Sequence, residues 1–100
     1  MRVICWFLLL ISFSVQAAAQ ERSGEDVYKT ACATCHSLAI ANAPKTHDKQ
    51  AWQARGKGIN ELLESAKKGL NAMPPNGACM NCTDAELKAA IEFMMNESKQ

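Results

Sequence analysis

Cys32-Ala33-Thr34-Cys35-His36 places two thiols and an imidazole at the spacing that attaches c-type haem. Each thiol can add across one vinyl group of a porphyrin, and the next residue then sets its imidazole under the iron. On that reading the chain folds around a flat apolar plate bonded to its own cysteine side chains. The same residues also suit a redox dithiol, half of a zinc site or a local disulfide. A second pair, Cys79 and Cys82, raises the zinc alternative, but residues 36–78 separate the two pairs. Ribbon-type zinc sites separate theirs by about 15 to 20 residues. A zinc ribbon would moreover be colourless and would need metal to fold.

The first twenty residues point to an oxidising compartment. Arg2 precedes an apolar run over residues 3–15, followed by Gln16-Ala17-Ala18-Ala19, the parts of a secretory signal peptide. The run falls short of the about 20 residues a membrane span needs, and Ala17 and Ala19 suit cleavage before Gln20. The expected organisation is a cleaved leader over residues 1–19 and one domain over residues 20–100. Cys5 lies inside the apolar run and receives no function. Cleavage leaves about 80 residues, a size that buries only about 60% of its unfolded surface and commonly leans on a disulfide, metal or cofactor. Losing Arg2 balances the remaining basic side chains against the 10 acidic ones. Strong electrostatic steering to nucleic acid or to a membrane surface is therefore not expected, nor is stable membrane insertion after cleavage.

The rest reads as helices and loops, with no convincing period-two strand, so the expected class is all-α. Ser23-Gly24-Glu25-Asp26 opens a helix with an acidic first turn, and Val27, Tyr28, Ala31 and Cys32 share a side, so the attachment motif ends that helix. Residues 37–47 contain Ala43-Pro44 and form a loop with extended geometry at both positions. A short helix over residues 49–55 buries Trp52 before Gly56 and Gly58 interrupt it. Ile59, Leu62, Leu63 and Ala66 recur at helical spacing, and Gly69 stops that helix. Thr83-Asp84-Ala85-Glu86 has capping-box form and starts the last helix. Its apolar stripe is Leu87, Ala90, Ile91 and Met94, with Met95 at its flank, while Glu86, Lys88, Glu92 and Glu97 are expected to face water.

Met94 and Met95 belong to that core stripe and are poor ligands. Met73 stands apart, in Gly69-Leu70-Asn71-Ala72-Met73-Pro74-Pro75-Asn76-Gly77. The prolines fix their own φ and stiffen a loop that presents a single thioether. Such a loop suits an axial ligand on the face of a haem opposite His36. A thioether favours ferrous iron, and a histidine and methionine pair raises the reduction potential relative to more basic ligands. Met80, between Cys79 and Cys82, is the rival.

The chain resembles the class I c-type cytochromes, and within them the cytochrome c5 group. The resemblance spans nearly all of residues 20–100. It is carried by Tyr28 before Cys32-Ala-Thr-Cys35-His36, then Ala43-Pro44-Lys45, Asp48, Ala51-Trp52 and Ala72-Met73-Pro74-Pro75. Cys79-Met-Asn-Cys82 followed by Asp84-Ala-Glu-Leu87 is the part most particular to c5. The resemblance implies a small fold in which N- and C-terminal helices cross, with Gly24 and Tyr28 near Phe93, and shorter helices wrap one covalent haem c. It implies thioether bonds at Cys32 and Cys35, His36 and Met73 as axial ligands, the Pro44 carbonyl orienting His36, and Trp52 packing near the haem. His47 stands where close relatives would carry glycine beside Asp48, and its expected role is an exposed titrating side chain.

Cys79 and Cys82 read most simply as a disulfide, because an oxidising compartment promotes one and haem takes the other pair. A redox-active pair is the sharper alternative, although no second histidine, tryptophan or glycine setting nearby suggests thiol activation. Two functional classes then compete. One is a soluble periplasmic carrier of single electrons between respiratory reductases, oxidases or peroxidases, not an enzyme. It would dock through an apolar patch with lysines such as Lys45 or Lys68 at its rim. The other is a haem-based sensor or enzyme with an open iron site. No general acid or base constellation supports the second.

Overall fold

The computed structural model describes residues 11–12 and 21–97. The expected leader over residues 1–19 lies almost wholly outside them. Among the described residues no strand forms, and the one β-type pairing is the isolated Leu70–Met73 bridge. The all-α expectation holds, and no described helix is long and apolar enough to cross a membrane.

Helix α1 (Gly24–Val27) starts where Ser23 accepts a hydrogen bond from the Asp26 N–H at 3.2 Å. That bond satisfies one free donor of the first turn, with Glu25 and Asp26 adding favourable charge there. The helix then widens into a π-helical turn over Tyr28–Cys32 before resuming as α2 (Ala33–His36). Periodicity in the sequence predicts helix here but not the wider turn, which brings an extra residue into the stretch that ends on Cys32.

Helix α3 (Lys49–Gln53) is capped by the Asp48 side chain, which accepts from the Ala51 N–H at 3.2 Å. It ends two residues short of the expected stretch. Helix α4 (Ile59–Lys68) buries Leu62 and Ala66 on the predicted face and stops at Gly69, whose φ of 81° is open to glycine at little cost. Helix α5 (Asp84–Met95) carries the full capping box of Thr83 and Glu86.

The core unites Trp52 from α3, Leu62 and Ala66 from α4, and Ile91 and Met94 from α5, with Tyr28, Cys32 and Met73 packed at its margin. Helix α1 crosses α5 at Gly24, where any Cβ would collide with the Ala89 carbonyl. Four residues on, the Tyr28 and Phe93 rings lie 5.0 Å apart. Met94 is 2% exposed, in keeping with its reading as core.

Glu86 corrects one expectation. It does not face water but is 5% exposed, because Arg22 folds over it. The guanidinium donates to its carboxylate at 2.7 Å and the Arg22 backbone N–H at 2.9 Å. The Thr83 N–H adds a third donor at 3.0 Å. Hydrogen bonds from the Arg22 side chain first, then from the Thr83 and Arg22 backbones, hold the carboxyl at about 2. A carboxylate depressed in the folded state stabilises it above the unfolded value of about 4.3 and loses that contribution as pH falls through the folded value. The midpoint of thermal unfolding should therefore be flat above about pH 5 and fall between about pH 4 and pH 2, a slope that Glu86→Gln flattens.

His47 is the second correction. Its φ is +66°, the left-handed region that favours glycine, which gives a physical reason for the glycine expected there. The side chain is half-buried, not free in solvent. Its ring meets Phe93 edge-on at 5.0 Å, and Nδ1 lies 2.6 Å from the Asn96 carbonyl, to which it donates. The His47 backbone N–H donates to Met94 O at 2.7 Å. These contacts tie the loop before α3 to the end of α5. Alanine would keep the backbone strain and lose the ring, whereas glycine loses only the ring. His47→Ala should accordingly be about 1 kcal/mol less stable than His47→Gly in denaturant titrations.

Candidate functional site

One cavity of about 860 Å³ opens between the α1/α2 segment, the loop before α3 and the loop after α4. Its lining brings together Cys32, Cys35, His36, Pro44 and Met73, residues spread over more than forty positions of sequence. The volume lies within the roughly 300 to 1,000 Å³ of small-molecule and cofactor sites.

His36 closes α2 and is 8% exposed. Its Nδ1 donates to the Pro44 carbonyl at 2.8 Å, which assigns the neutral ring its proton and leaves Nε2 with a free lone pair. The His36 carbonyl is held as well, accepting from the Thr46 N–H at 2.9 Å and its hydroxyl at 3.2 Å. Ala43 is extended, with φ −65° and ψ 141°, as the proline that follows requires. The loop thus grips the histidine by ring and backbone together.

Trp52 lies behind this histidine, not on the cavity wall. Its ring stacks on His36 at 5.6 Å between centroids and 18° between planes, and Nε1 donates to the Lys45 carbonyl at 3.0 Å. Its role here is to back the imidazole and secure the gripping loop. Trp52 is not among the residues that line the cavity.

Met73 is fixed by two backbone bonds with Leu70, Met73 N–H to Leu70 O at 2.9 Å and Leu70 N–H to Met73 O at 3.1 Å. Asn71, inside this turn, has φ +53°. Gly69 is required for close approach, since a Cβ there would sit 2.8 Å from Met73 O and 3.0 Å from Pro75 N. The Met73 methyl lies toward Gly77, 3.7 Å from where a Cβ on that glycine would be. Met80 lines the cavity too but is 81% exposed, so its thioether is far less ordered by packing than that of Met73.

Cys32 is half-buried and Cys35 exposed, and both side chains lie on the cavity wall. Cys79 and Cys82 are disulfide-bonded, and Thr83 follows them where an attachment motif needs histidine. The fully charged residues on the cavity wall are Arg22 and Arg55. Sequence reasoning passed over both arginines, because only the fold carries them to the cavity. Taken together, a paired thiol set, an imidazole with one oriented nitrogen and a packed thioether around a largely apolar cavity fit a haem.

A family profile described as "Cytochrome C oxidase, cbb3-type, subunit III" matches residues 19–94. Cytochrome c5 of Azotobacter vinelandii is 49% identical over 76 residues, covering 73% of this chain and 92% of that protein. Cytochrome c5 of Ectopseudomonas mendocina is 38% identical over 84 residues, covering 81% and 97%. Among solved structures, a mono-haem ferrocytochrome c from Shewanella putrefaciens gives a TM-score of 0.68 at 47% identity, covering 80% of this chain and 100% of that one. A chain in the crystal structure of an electron transfer complex of nitrite reductase with cytochrome c gives 0.67 at 44% identity, covering 76% and 95%.

Proposed function

This chain belongs to the class I c-type cytochromes, in the cytochrome c5 group, and from that premise we propose how its residues serve electron transfer. It is a small monohaem electron carrier with one covalently bound haem c, and not an enzyme. The haem, when bound, supplies a reversible one-electron ferric and ferrous couple.

In our reading Cys32 and Cys35 would hold the haem through thioether bonds, and His36 and Met73 would supply the two ligands to its iron. The observation that carries this is the pairing of His36 Nδ1 with the Pro44 carbonyl in a cavity that Met73 also lines. Donation from Nδ1 to a carbonyl orients the ring and strengthens Nε2 as a donor. The Leu70–Met73 bridge fixes the backbone from which the Met73 thioether would reach the iron. Were both ligands supplied by this chain's own residues, no site at the iron would remain open for substrate, which favours a carrier over an open-site sensor.

Leu38, Ile40, Leu70 and Met80 are large apolar side chains left exposed, and Ile40, Leu70 and Met80 also line the cavity. We assign them to a docking patch for redox partners, of the small transient kind below about 1,200 Å². The nitrite reductase complex among the structural relatives supports a reductase as one such partner. The expected setting is the periplasm, reached by cleavage of residues 1–19, with residues 20–100 as the mature domain.

The test is to titrate the haem-loaded protein with reductant and then expose the ferrous form to carbon monoxide. A carrier gives a single reversible one-electron step and an unchanged spectrum under the gas. Prompt carbon monoxide binding at neutral pH would place the protein among open-site sensors or enzymes instead.

A further inference from the structure

Arg22 does more than pair with Glu86. Its Nη2 lies 3.4 Å from Cys82 Sγ and 3.8 Å from Cys79 Sγ, and donates to the Asn81 carbonyl and side-chain oxygen, both at 3.3 Å. Nε donates to Glu86 at 2.7 Å and Nη2 reaches its other oxygen at 3.4 Å, so one guanidinium serves both a carboxylate and the turn that carries the disulfide. The turn that carries the disulfide is outward: Met80 and Asn81 are exposed, Cys82 is half-buried and Cys79 is buried. Cys79 also forms part of the cavity wall.

We propose that Cys79–Cys82 is a thiol-exchange site for a dithiol reductant, with Arg22 as the residue that positions and stabilises its leaving thiolate. Cys82, the less buried residue of the pair, takes the attacking thiolate on its Sγ. The S–S electron pair leaves on Cys79 Sγ, 3.8 Å from Nη2 and within reach of the guanidinium as the bond opens, giving a mixed disulfide. The second thiol of the reductant, once deprotonated, attacks that bond and releases Cys82. The reductant ends as a disulfide, and its two electrons and two protons end on Cys79 and Cys82 as thiols. A cation beside the leaving sulfur lowers its pKa and speeds departure. This is the activating group for which the sequence around the pair gives no sign, because Arg22 is nearly sixty positions away. The inference does not depend on which residues hold the iron.

The test uses the haem-loaded protein under anaerobic conditions, with dithiothreitol as the dithiol, quenched at intervals with iodoacetamide. Mass spectrometry of the peptide containing Cys79 and Cys82 gives the opening rate. The peptide containing Cys32 and Cys35 independently reports whether those thiols are blocked by haem. The wild type is expected to open without denaturant, Arg22→Gln to open about three- to tenfold more slowly, and Arg22→Lys to recover most of the rate, as leaving-group stabilisation requires. A purely structural clasp predicts the reverse, since loosening it would expose the bond. Opening of Arg22→Gln at or above the wild-type rate, or a wild type that opens only in denaturant, overturns the proposal.

Discussion

Met73→Ala should yield a protein that still carries covalent haem, loses the methionine-to-ferric-iron absorption band and binds carbon monoxide readily. The packing argument makes the loss specific. Met73 sits at the margin of the core and its backbone is pinned on both sides by Leu70, so no neighbouring thioether is ready to replace it. Met80 is mostly solvent-exposed, and Met94 is buried in the stripe of α5. A thioether stabilises the ferrous form, and losing a hundredfold preference for it lowers the potential by about 120 mV at 59 mV per tenfold for one electron. Retention of the band would mean that another methionine is the ligand. Unfolding of the variant is not expected, because the Leu70–Met73 bridge uses backbone atoms alone.

Gly24→Ala carries the largest expected effect on stability. In an ordinary helix the substitution gains up to about 1 kcal/mol in propensity. Here the added methyl would drive into the Ala89 carbonyl and come within 3.1 Å of the Ala90 nitrogen, and backbone atoms cannot rotate aside as a flexible side chain can. The helices must separate, which loosens the contact of Tyr28 with Phe93 and the burial of Val27. Overpacking costs typically about 1 to 3 kcal/mol, and lost packing adds to it, so a net loss of roughly 2 to 4 kcal/mol outweighs the propensity gain. For a domain this small that amounts to a fall of about 10 to 25 °C in the thermal midpoint of the haem-loaded protein, followed by circular dichroism. A midpoint unchanged or raised would show that α1 and α5 do not meet at this glycine.

The helices were legible in the sequence where a local signal stood alone. The capping box of Thr83 and Glu86, the spacing of Leu62 and Ala66 and the stop at Gly69 all depend on neighbours within a turn or two. The Cys32–His36 run and the proline loop of Met73 could be singled out for the same reason, since each is a stretch of consecutive residues, and the fold brings both to one cavity. What escaped were features made by distant segments meeting. Glu86 looks like a solvent-facing position of α5 until Arg22 covers it, and its burial follows from that one ion pair. His47 reads as an exposed side chain until the end of α5 arrives with Phe93 and Asn96. The π-helical turn at Tyr28–Cys32 has no residue-level signature here, and Trp52 could be foreseen as buried but not as the platform behind His36.

The central claim is that His36 and Met73 together present the iron of one covalent haem for electron transfer. The most direct test is the proton NMR spectrum of the ferrous protein, in which a methionine methyl bound to iron lies inside the ring current of the porphyrin and shifts far upfield. The account predicts one such methyl, assigned to Met73 by its absence in Met73→Ala. An upfield methyl that persists in that variant, or none at all in the wild type, would contradict it.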